Sequence, residues 1–238
     1  MTWLDLTLDE PAANLALDEA LLLAAEVAGG SEAIRFWEAT APMVVLGAGG
    51  SVAIDVHGAA CEADGVPILR RASGGGTVLL GPGCLGVSLI LRMDRAPGLN
   101  LIQPSTRYVL ERTLKAIREV APDTVVAGTS DLAANGLKFS GSAQQRKRTH
   151  FLHHFTLLAG FDLSLVSRYL NAPERKPEYR GDRDHDRFLM NLPTTIQDLK
   201  RLLLEEWRPE AEGAAIPQAS LERLLEDKYR RDEWNRRR

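Results

Sequence analysis

Residues 131–143 read DLAANGLKFSGSA, and this stretch decides the fold class. Asn135-Gly136 lies between two short runs that suit strands, Asp131–Ala134 and Leu137–Ala143. Both central positions of a tight primed turn take positive φ, which Asn and Gly tolerate best. The pair therefore predicts a two-residue antiparallel hairpin. In regular pleating, Lys138 and Ser140 share one face of the second strand and Phe139 takes the other. Gly141 leaves room for a close approach beside them.

Outward from the hairpin, Asp123–Gly128 and Phe151–Leu158 read as further strands. Asn14 to about Val27 is rich in Ala and Leu and predicts a helix that stops at Gly29-Gly30. Ile34–Ala39 and Met43–Gly47 read as strands around a Pro-containing turn, Pro67–Arg71 as a short strand, and Leu85–Met93 as a buried one. Pro104–Val120 predicts a helix with Tyr108, Leu110, Leu114 and Ile117 near one stripe. The last third is mainly helical. Thr194 with Gln197 forms a candidate capping box before IQDLKRLLLEEW, and Ser220 a candidate cap for LERLLEDKYRRDEW. This order predicts an α+β fold, a mixed or largely antiparallel sheet with flanking helices. It is not regular βαβ repetition. Neither GxGxxG nor GxxxxGK[ST] occurs, so the glycine runs are not dinucleotide or P-loop fingerprints.

The 238 residues suit one domain over 1–238 with a helical C-terminal part. A formal net charge of -3 argues against a generic nucleic-acid surface while leaving room for a local basic pocket. The two cysteines, Cys61 and Cys84, show neither metal-site nor disulfide spacing, which fits a cytoplasmic setting. The opening residues lack a signal-peptide pattern, and Asn14, Asp18 and Glu19 interrupt their apolar run, so no membrane span is expected.

The residues richest in chemistry are RRASGGGTVLLGPGCLG, residues 70–86. Gly74, Gly75 and Gly76 allow backbone amides to approach an anion without side chains in the way. Arg70 and Arg71 can add charge-assisted bonds to phosphate or carboxylate, and Ser73 one more. The same pattern also reads as a flexible hairpin with solvated arginines. Across the hairpin, Lys138 brings a compact charge able to steady a leaving phosphate or polarise a carbonyl; alternatively it is a strand-end surface lysine. Gln145–Arg148 reads as a solvated loop. His153 and His154 face opposite sides of their strand. Neither has a metal partner at motif spacing, so no metal site is expected. Cys84 follows Gly-Pro-Gly, but nothing pairs it with a base.

These clusters resemble the lipoate/biotin protein ligase superfamily, specifically its lipoate ligase A and octanoyltransferase-like branch. The resemblance spans roughly Asn14 to Asn191. It rests on NLALDEALL, IRFWEATAPMVVLG, RRASGGGTVLLGPGCLG, LKFSGSAQQRKRTHFLHHFTLL and FLMNLP together. It implies a biotin/lipoate ligase-like catalytic domain; many such ligases add a C-terminal accessory domain, and none is expected here because the sequence stops soon after KYRRDEWNRRR. Lys138 matches the family's active-site lysine. Arg70, Ser73, Gly74, Gly75, Gly76 and Thr77 match its acyl-adenylate loop, and Ser142 and Ala143 the opposite wall. His154 matches the histidine of the following strand, and Trp37 an aromatic near an acyl pocket that also draws on Val78 and Leu80.

By resemblance, ATP and Mg²⁺ activate lipoate or octanoate as acyl-AMP. The acyl group then passes to a lysine of a carrier domain such as glycine cleavage H protein or a 2-oxoacid dehydrogenase E2, with a separate accessory subunit as a further partner. Neither nucleic acid nor membrane is an expected partner. Leu80 stands where relatives carry a histidine, which keeps two alternatives open. One is an octanoyl or lipoyl transferase using a thioester donor, and the other a non-catalytic module that binds the acyl carrier.

Overall fold

The central strands are buried almost continuously, which places their sheet between two apolar layers. The structure, a computed structural model, describes residues 1–27, 30–174 and 176–238. The chain begins with β1 (Thr2–Asp5), α1 (Pro11–Ala25), β2 (Ala33–Glu38) and β3 (Met43–Leu46). Two short helices, α2 (Val52–Asp55) and α3 (Gly58–Ala63), precede β4 (Ile68–Arg70), β5 (Val78–Leu80) and β6 (Cys84–Arg92). Then α4 (Ile102–Ile117) leads into β7 (Thr124–Ala127), β8 (Asp131–Ala134), β9 (Leu137–Arg146) and β10 (His150–Leu158). Last come α5 (Ser164–Tyr169), α6 (Ile196–Trp207), β11 (Ala211–Glu212), α7 (Gln218–Leu224) and α8 (Asp232–Asn235). A 3-10 turn spans Glu178–Arg180, and a π-helical turn at Leu225–Tyr229 extends α7.

Among the described residues, eight strands form one sheet in the order β11-β1-β2-β6-β10-β9-β8-β7, and β4-β3-β5 form a second. β1 runs parallel to β2 and β11, and the other pairs of the large sheet are antiparallel. On one face Ile34, Phe36, Leu85, Val87, Leu89, Leu91, Phe151 and Phe155 form a core with residues of α4 and α6. On the other, Trp37, Ile90 and Leu152 pack with α1 and the small sheet. The expected mixed sheet with flanking helices is the observed fold.

The hairpin forms at the expected turn, with φ 52° at Asn135 and 73° at Gly136. Its register slips between Leu132 and Ala133, so Ser140 pairs with Leu132 but Lys138 with Ala133. The extra residue in β9 is a β-bulge, which breaks the period of two. Ser140 therefore joins the buried side of Leu132 and is 1% exposed, while Lys138 stays with Ala133 and Gly141. The expectation that Lys138 and Ser140 share a face fails for this reason.

Other boundaries also move. α1 ends at Ala25; of the expected Gly29-Gly30 stop, Gly29 lies outside the described residues. Thr195, one residue later than expected, caps α6 by accepting a bond from the Asp198 amide at 3.1 Å. Ser220 lies inside α7, which starts at Gln218 just after Pro217, so it caps nothing. Gln145 and Arg146 belong to β9 rather than to a solvated loop. Gln145 donates to Glu19, and Arg146 to Ser105, Gln144 and the Leu99 carbonyl.

Candidate active site

A polar row crosses the α1 face of the large sheet. Arg35 pairs with Ser88, Ser88 with His154, and His154 with Ala143, in β2, β6, β10 and β9. Asn14 and Asp18, one turn apart on α1, share the helix face above this row. Arg35 is fully buried and donates to Asp18 Oδ1 at 2.7 Å, to Asn14 Oδ1 at 2.7 Å, and to the Asn14 and Leu6 carbonyls. The other Asp18 oxygen accepts from Ser88 Oγ at 2.7 Å. Burial opposes charge on Asp18, but Arg35, His154 and Ser88 outweigh it and hold the carboxyl below its usual range.

The glycine loop rests on the small sheet. Arg71 folds beneath it, donating to Ser73 Oγ at 3.0 Å and to the carbonyls of Val45, Gly74 and Gly76. Burial pulls the Arg71 guanidinium down to about 10, so it remains charged at neutral pH. Ser73 Oγ lies 2.6 Å from His154 Nε2, and the Ser73 carbonyl accepts the Ala48 amide at 2.8 Å. Gly74, Gly75 and Gly76 are exposed, and among the described residues their amides donate no backbone hydrogen bond. Such a cluster of open amides suits an anion. Thr77 donates to Asp55 Oδ2 at 2.8 Å.

Two glycines are required by geometry. Gly75 has φ +88° and abuts β9: a Cβ there would lie 3.6 Å from Ala143 Cβ. A Cβ on Gly47 would lie 2.0 Å from the Gly75 carbonyl oxygen. Gly47→Ala is therefore expected to displace the loop and cost about 1–3 kcal/mol. Gly74→Ala, whose Cβ would meet open space, should cost under about 1 kcal/mol. Urea midpoints of the two variants check this order.

Arg70 does not reach into the loop. It is fully buried, and its guanidinium donates to the carbonyls of Gly47, Ala48, Gly50, Trp234 and Asn235. Its backbone amide donates to Asn235 Oδ1 at 2.9 Å. The first arginine thus ties the β4 end to the C-terminal helix, while the second supports the glycines.

Lys138 Nζ pairs with Asp131 Oδ1 at 2.8 Å, and the lysine side chain is 27% exposed. Tyr179 donates to the other Asp131 oxygen at 2.8 Å. The lysine folds over Gly141, where a Cβ would lie 3.0 Å from Nζ. Gly141 and Ala143 are two residues apart on one face of β9, roughly 7 Å along the strand. Lys138 Nζ over Gly141 and Gly75 against Ala143 therefore put the cation and the open amides on neighbouring parts of one wall. Ser142 points elsewhere, donating to the Ser130 carbonyl at 3.0 Å.

Trp37 is buried beside Gly86, with Arg35 over its ring at 5.4 Å. Val78 is half-buried and pairs with Val45; Leu80 is buried against Met43. Cys84 is buried, and burial with the nearby Glu38 charge pushes its thiol up to about 12. A half-open cleft of ≈ 10 Å³, room for about one water, lies where Asp18, Arg71, Ser73, His154 and Tyr229 meet. A surface depression of ≈ 520 Å³ lined by His57, Ala60, Ser167 and Arg168 shares no residue with this region.

Sequence reasoning missed Asn14, Asp18, Arg35, Asp131 and Tyr179. A signal existed for the first three. Two polar residues four apart in an apolar helix, and an arginine inside an apolar strand, need buried partners. Asp131 was hidden by the bulge, and Tyr179 comes from a distant turn.

Residues 10–208 match the family model described as the lipoyl protein ligase A/B catalytic domain. A probable lipoate-protein ligase A of Mycoplasma pneumoniae is 27% identical over 237 residues, covering 94% of this chain and 68% of that protein. The fold matches a bi-partite lipoate protein ligase of Thermoplasma acidophilum, solved in a study that includes its E2 lipoyl domain, with TM-score 0.84 and 21% identity over 99% of this chain and 95% of that one. It also matches a lipoate-protein ligase A bound with ATP, with TM-score 0.83 and 20% identity over 99% of each chain.

Proposed function

The chain belongs to the lipoyl protein ligase A/B catalytic-domain family, and from that premise we propose that it is a lipoate-protein ligase. It activates lipoate or octanoate as acyl-AMP and attaches the acyl group to a carrier-domain lysine. The observation that carries this reading is the placement of Lys138 Nζ over Gly141 beside the Gly75–Ala143 contact. One ligand can meet the open glycine amides with its phosphate and the lysine with its phosphate–acyl junction.

In the first step the acyl carboxylate attacks the ATP α-phosphate and pyrophosphate leaves. In the second, the carrier amine attacks the acyl carbon, an amide forms, AMP leaves, and the amine's proton goes to solvent. Gly74, Gly75 and Gly76 hold phosphate oxygens, and Lys138 steadies charge developing at the junction. Asp131 and Tyr179 aim the lysine. Ser73, Thr77, Ala143 and His154 shape the walls, Trp37 and Val78 border the acyl group, and Arg70 and Arg71 fix the loop from below.

Mg²⁺ bound to nucleotide phosphates supplies charge neutralisation. Asp131, the carboxylate paired with Lys138, has both oxygens engaged, and among the described residues no three His, Cys, Asp or Glu side chains gather to hold a metal. The described residues thus offer no three-ligand protein cage, and Mg²⁺ would enter on the phosphates of the nucleotide. The carrier is a lipoyl domain of the E2 or glycine cleavage H type. Residues 1–238 serve as the catalytic unit, and a separate accessory subunit is a further partner, a reading supported by the description of the Thermoplasma acidophilum ligase as bi-partite. No described helix is long and apolar enough to cross a membrane, and both cysteines are free; we place the reaction in the cytoplasm.

The reading is tested by incubating the chain with ATP, Mg²⁺, lipoate or octanoate and an unmodified carrier domain, then measuring intact carrier mass. Addition of one acyl group supports it. An unmodified carrier, even with acyl-AMP supplied, contradicts it. The thioester alternative is disfavoured by Cys84, buried with a raised thiol pKa. Cys84→Ser is expected to leave carrier acylation unchanged, and iodoacetamide at neutral pH to label Cys84 only after unfolding. A stoichiometric acyl thioester on Cys84 would reverse this.

A further inference from the structure

The contact between Ser73 and His154 joins two elements that are far apart in sequence, and its hydrogen-bond polarity can be worked out. Arg71 Nε can only donate, and it donates to Ser73 Oγ at 3.0 Å. Among the described residues no other acceptor lies within hydrogen-bond distance of the buried Ser73 hydroxyl, so its proton is directed to His154 Nε2, 2.6 Å away. His154 Nδ1 faces Asp18 Oδ2 at 3.7 Å, and a carboxylate there only accepts. Hydrogen bonds from Arg35 and Ser88 fix that carboxylate in the buried row. The pattern closes in one direction when the imidazole is neutral with its proton on Nδ1. An imidazolium would point a second donor at Ser73 and leave the hydroxyl proton without its acceptor.

We propose that His154 is a positioning residue whose neutral Nδ1–H form, facing the Asp18 carboxylate, anchors the glycine loop through Ser73. The anchoring is a property of the chain alone; its effect on transfer rests on the ligase reading. Ser73 is 2% exposed, and its carbonyl holds the Ala48 amide, so the histidine grips the loop where it joins the small sheet. The charged and titratable groups around the imidazole are Asp18 and Glu19 of α1, Arg35 of β2, Arg71 beneath the loop, His153 of β10 and Tyr229. Glu19 is engaged by Lys228 and Tyr229 rather than by the histidine. His153 lies on the opposite sheet face, bonded to Gln144, and burial brings it down to about 3.

Burial, helped by the Arg71 charge, pulls His154 below the ordinary histidine value despite Asp18. The sign follows. The unfolded chain takes up this proton near pH 6.5 and the folded chain at lower pH. The anchoring is complete above that value and is lost as pH falls through the folded-state pKa.

Long-range ¹H–¹⁵N spectra of the histidine-labelled chain at pH 7.5 read the tautomer directly, without any variant. A His154 proton on Nδ1 with a bare Nε2 is expected; an Nε2–H form or an imidazolium overturns the proposal. In His154→Ala and in Ser73→Ala, exchange of the Ala48 amide should accelerate about tenfold. In His154→Gln, whose amide can still meet Ser73, most protection should remain. Wild-type Ala48 exchange in both alanine variants also overturns the proposal. With acyl-AMP and carrier supplied, kcat/KM of both chains falls with pH as the carrier amine is protonated, and below pH 6.5 that of the wild type should fall more steeply than that of His154→Gln; parallel profiles count against it. If no chain acylates the carrier at any pH, the ligase reading fails, while the tautomer and exchange results still judge the anchor.

Discussion

Lys138→Ala is expected to reduce carrier acylation by about 10²–10³-fold, the cost of removing one group aimed at developing charge. The fold should persist. Lys138 is partly exposed, while its partner Asp131 is buried and keeps the bond from Tyr179, so losing the pair should cost about 1–3 kcal/mol. Lys138→Arg should not rescue. Gly141 leaves room for a slender ammonium, a Cβ there already coming within 3.0 Å of Nζ, and a planar guanidinium is wider. Initial rates with saturating ATP, lipoate and carrier, together with urea midpoints, check both statements. A fall in rate matched by a fall in stability would remove the lysine from the chemistry. A wild-type rate would do so outright.

The largest stability effect is expected at Arg70. Its guanidinium satisfies carbonyls from Gly47–Gly50 and from Trp234 and Asn235, with no side-chain exposure. Truncation leaves several buried acceptors without donors at about 1–3 kcal/mol each before water enters, so Arg70→Ala should cost about 3–5 kcal/mol. That is a large part of the roughly 5–15 kcal/mol that holds a typical domain together. Arg70→Lys should recover little, because one ammonium cannot reach carbonyls on both sides. Hydrogen exchange should rise first at the Val52 amide, which donates to the Arg238 carbonyl, and in α8. A urea midpoint equal to the wild type's would show that the arginine is not the tie between β4 and the C-terminal helix.

The fate of the two arginines shows how far the sequence could be read. Arg70 and Arg71 look alike beside three glycines, and both were expected to face a ligand. The strand period sends them to opposite sides of β4: one into a cage of carbonyls, the other under the loop. No local rule reveals a cage whose walls lie more than 160 residues away at Trp234 and Asn235. The hairpin was legible because Asn-Gly carries its own backbone preference. The bulge inside β9 was not: it places Phe139 in the core shared with α4 and α6, and residues 137–141 carry no local signal for it. His154 was singled out, and the fold adds its partners, Ser73 and Asp18. Asp18 had been read only as an interruption of an apolar run. Its value lies in the register that brings Ser88 and His154 beneath it.

The central claim is that the glycine loop and Lys138 hold one and the same ligand. It is tested most directly by amide exchange at Gly74, Gly75 and Gly76 during titration with a non-hydrolysable acyl-adenylate. These amides make no backbone hydrogen bond to the described residues of the free chain. The account predicts at least roughly tenfold slowing in the wild type as phosphate oxygens accept them, with markedly weaker protection at the same ligand concentration in Lys138→Ala. Equal protection in both chains, or none in either, would contradict it.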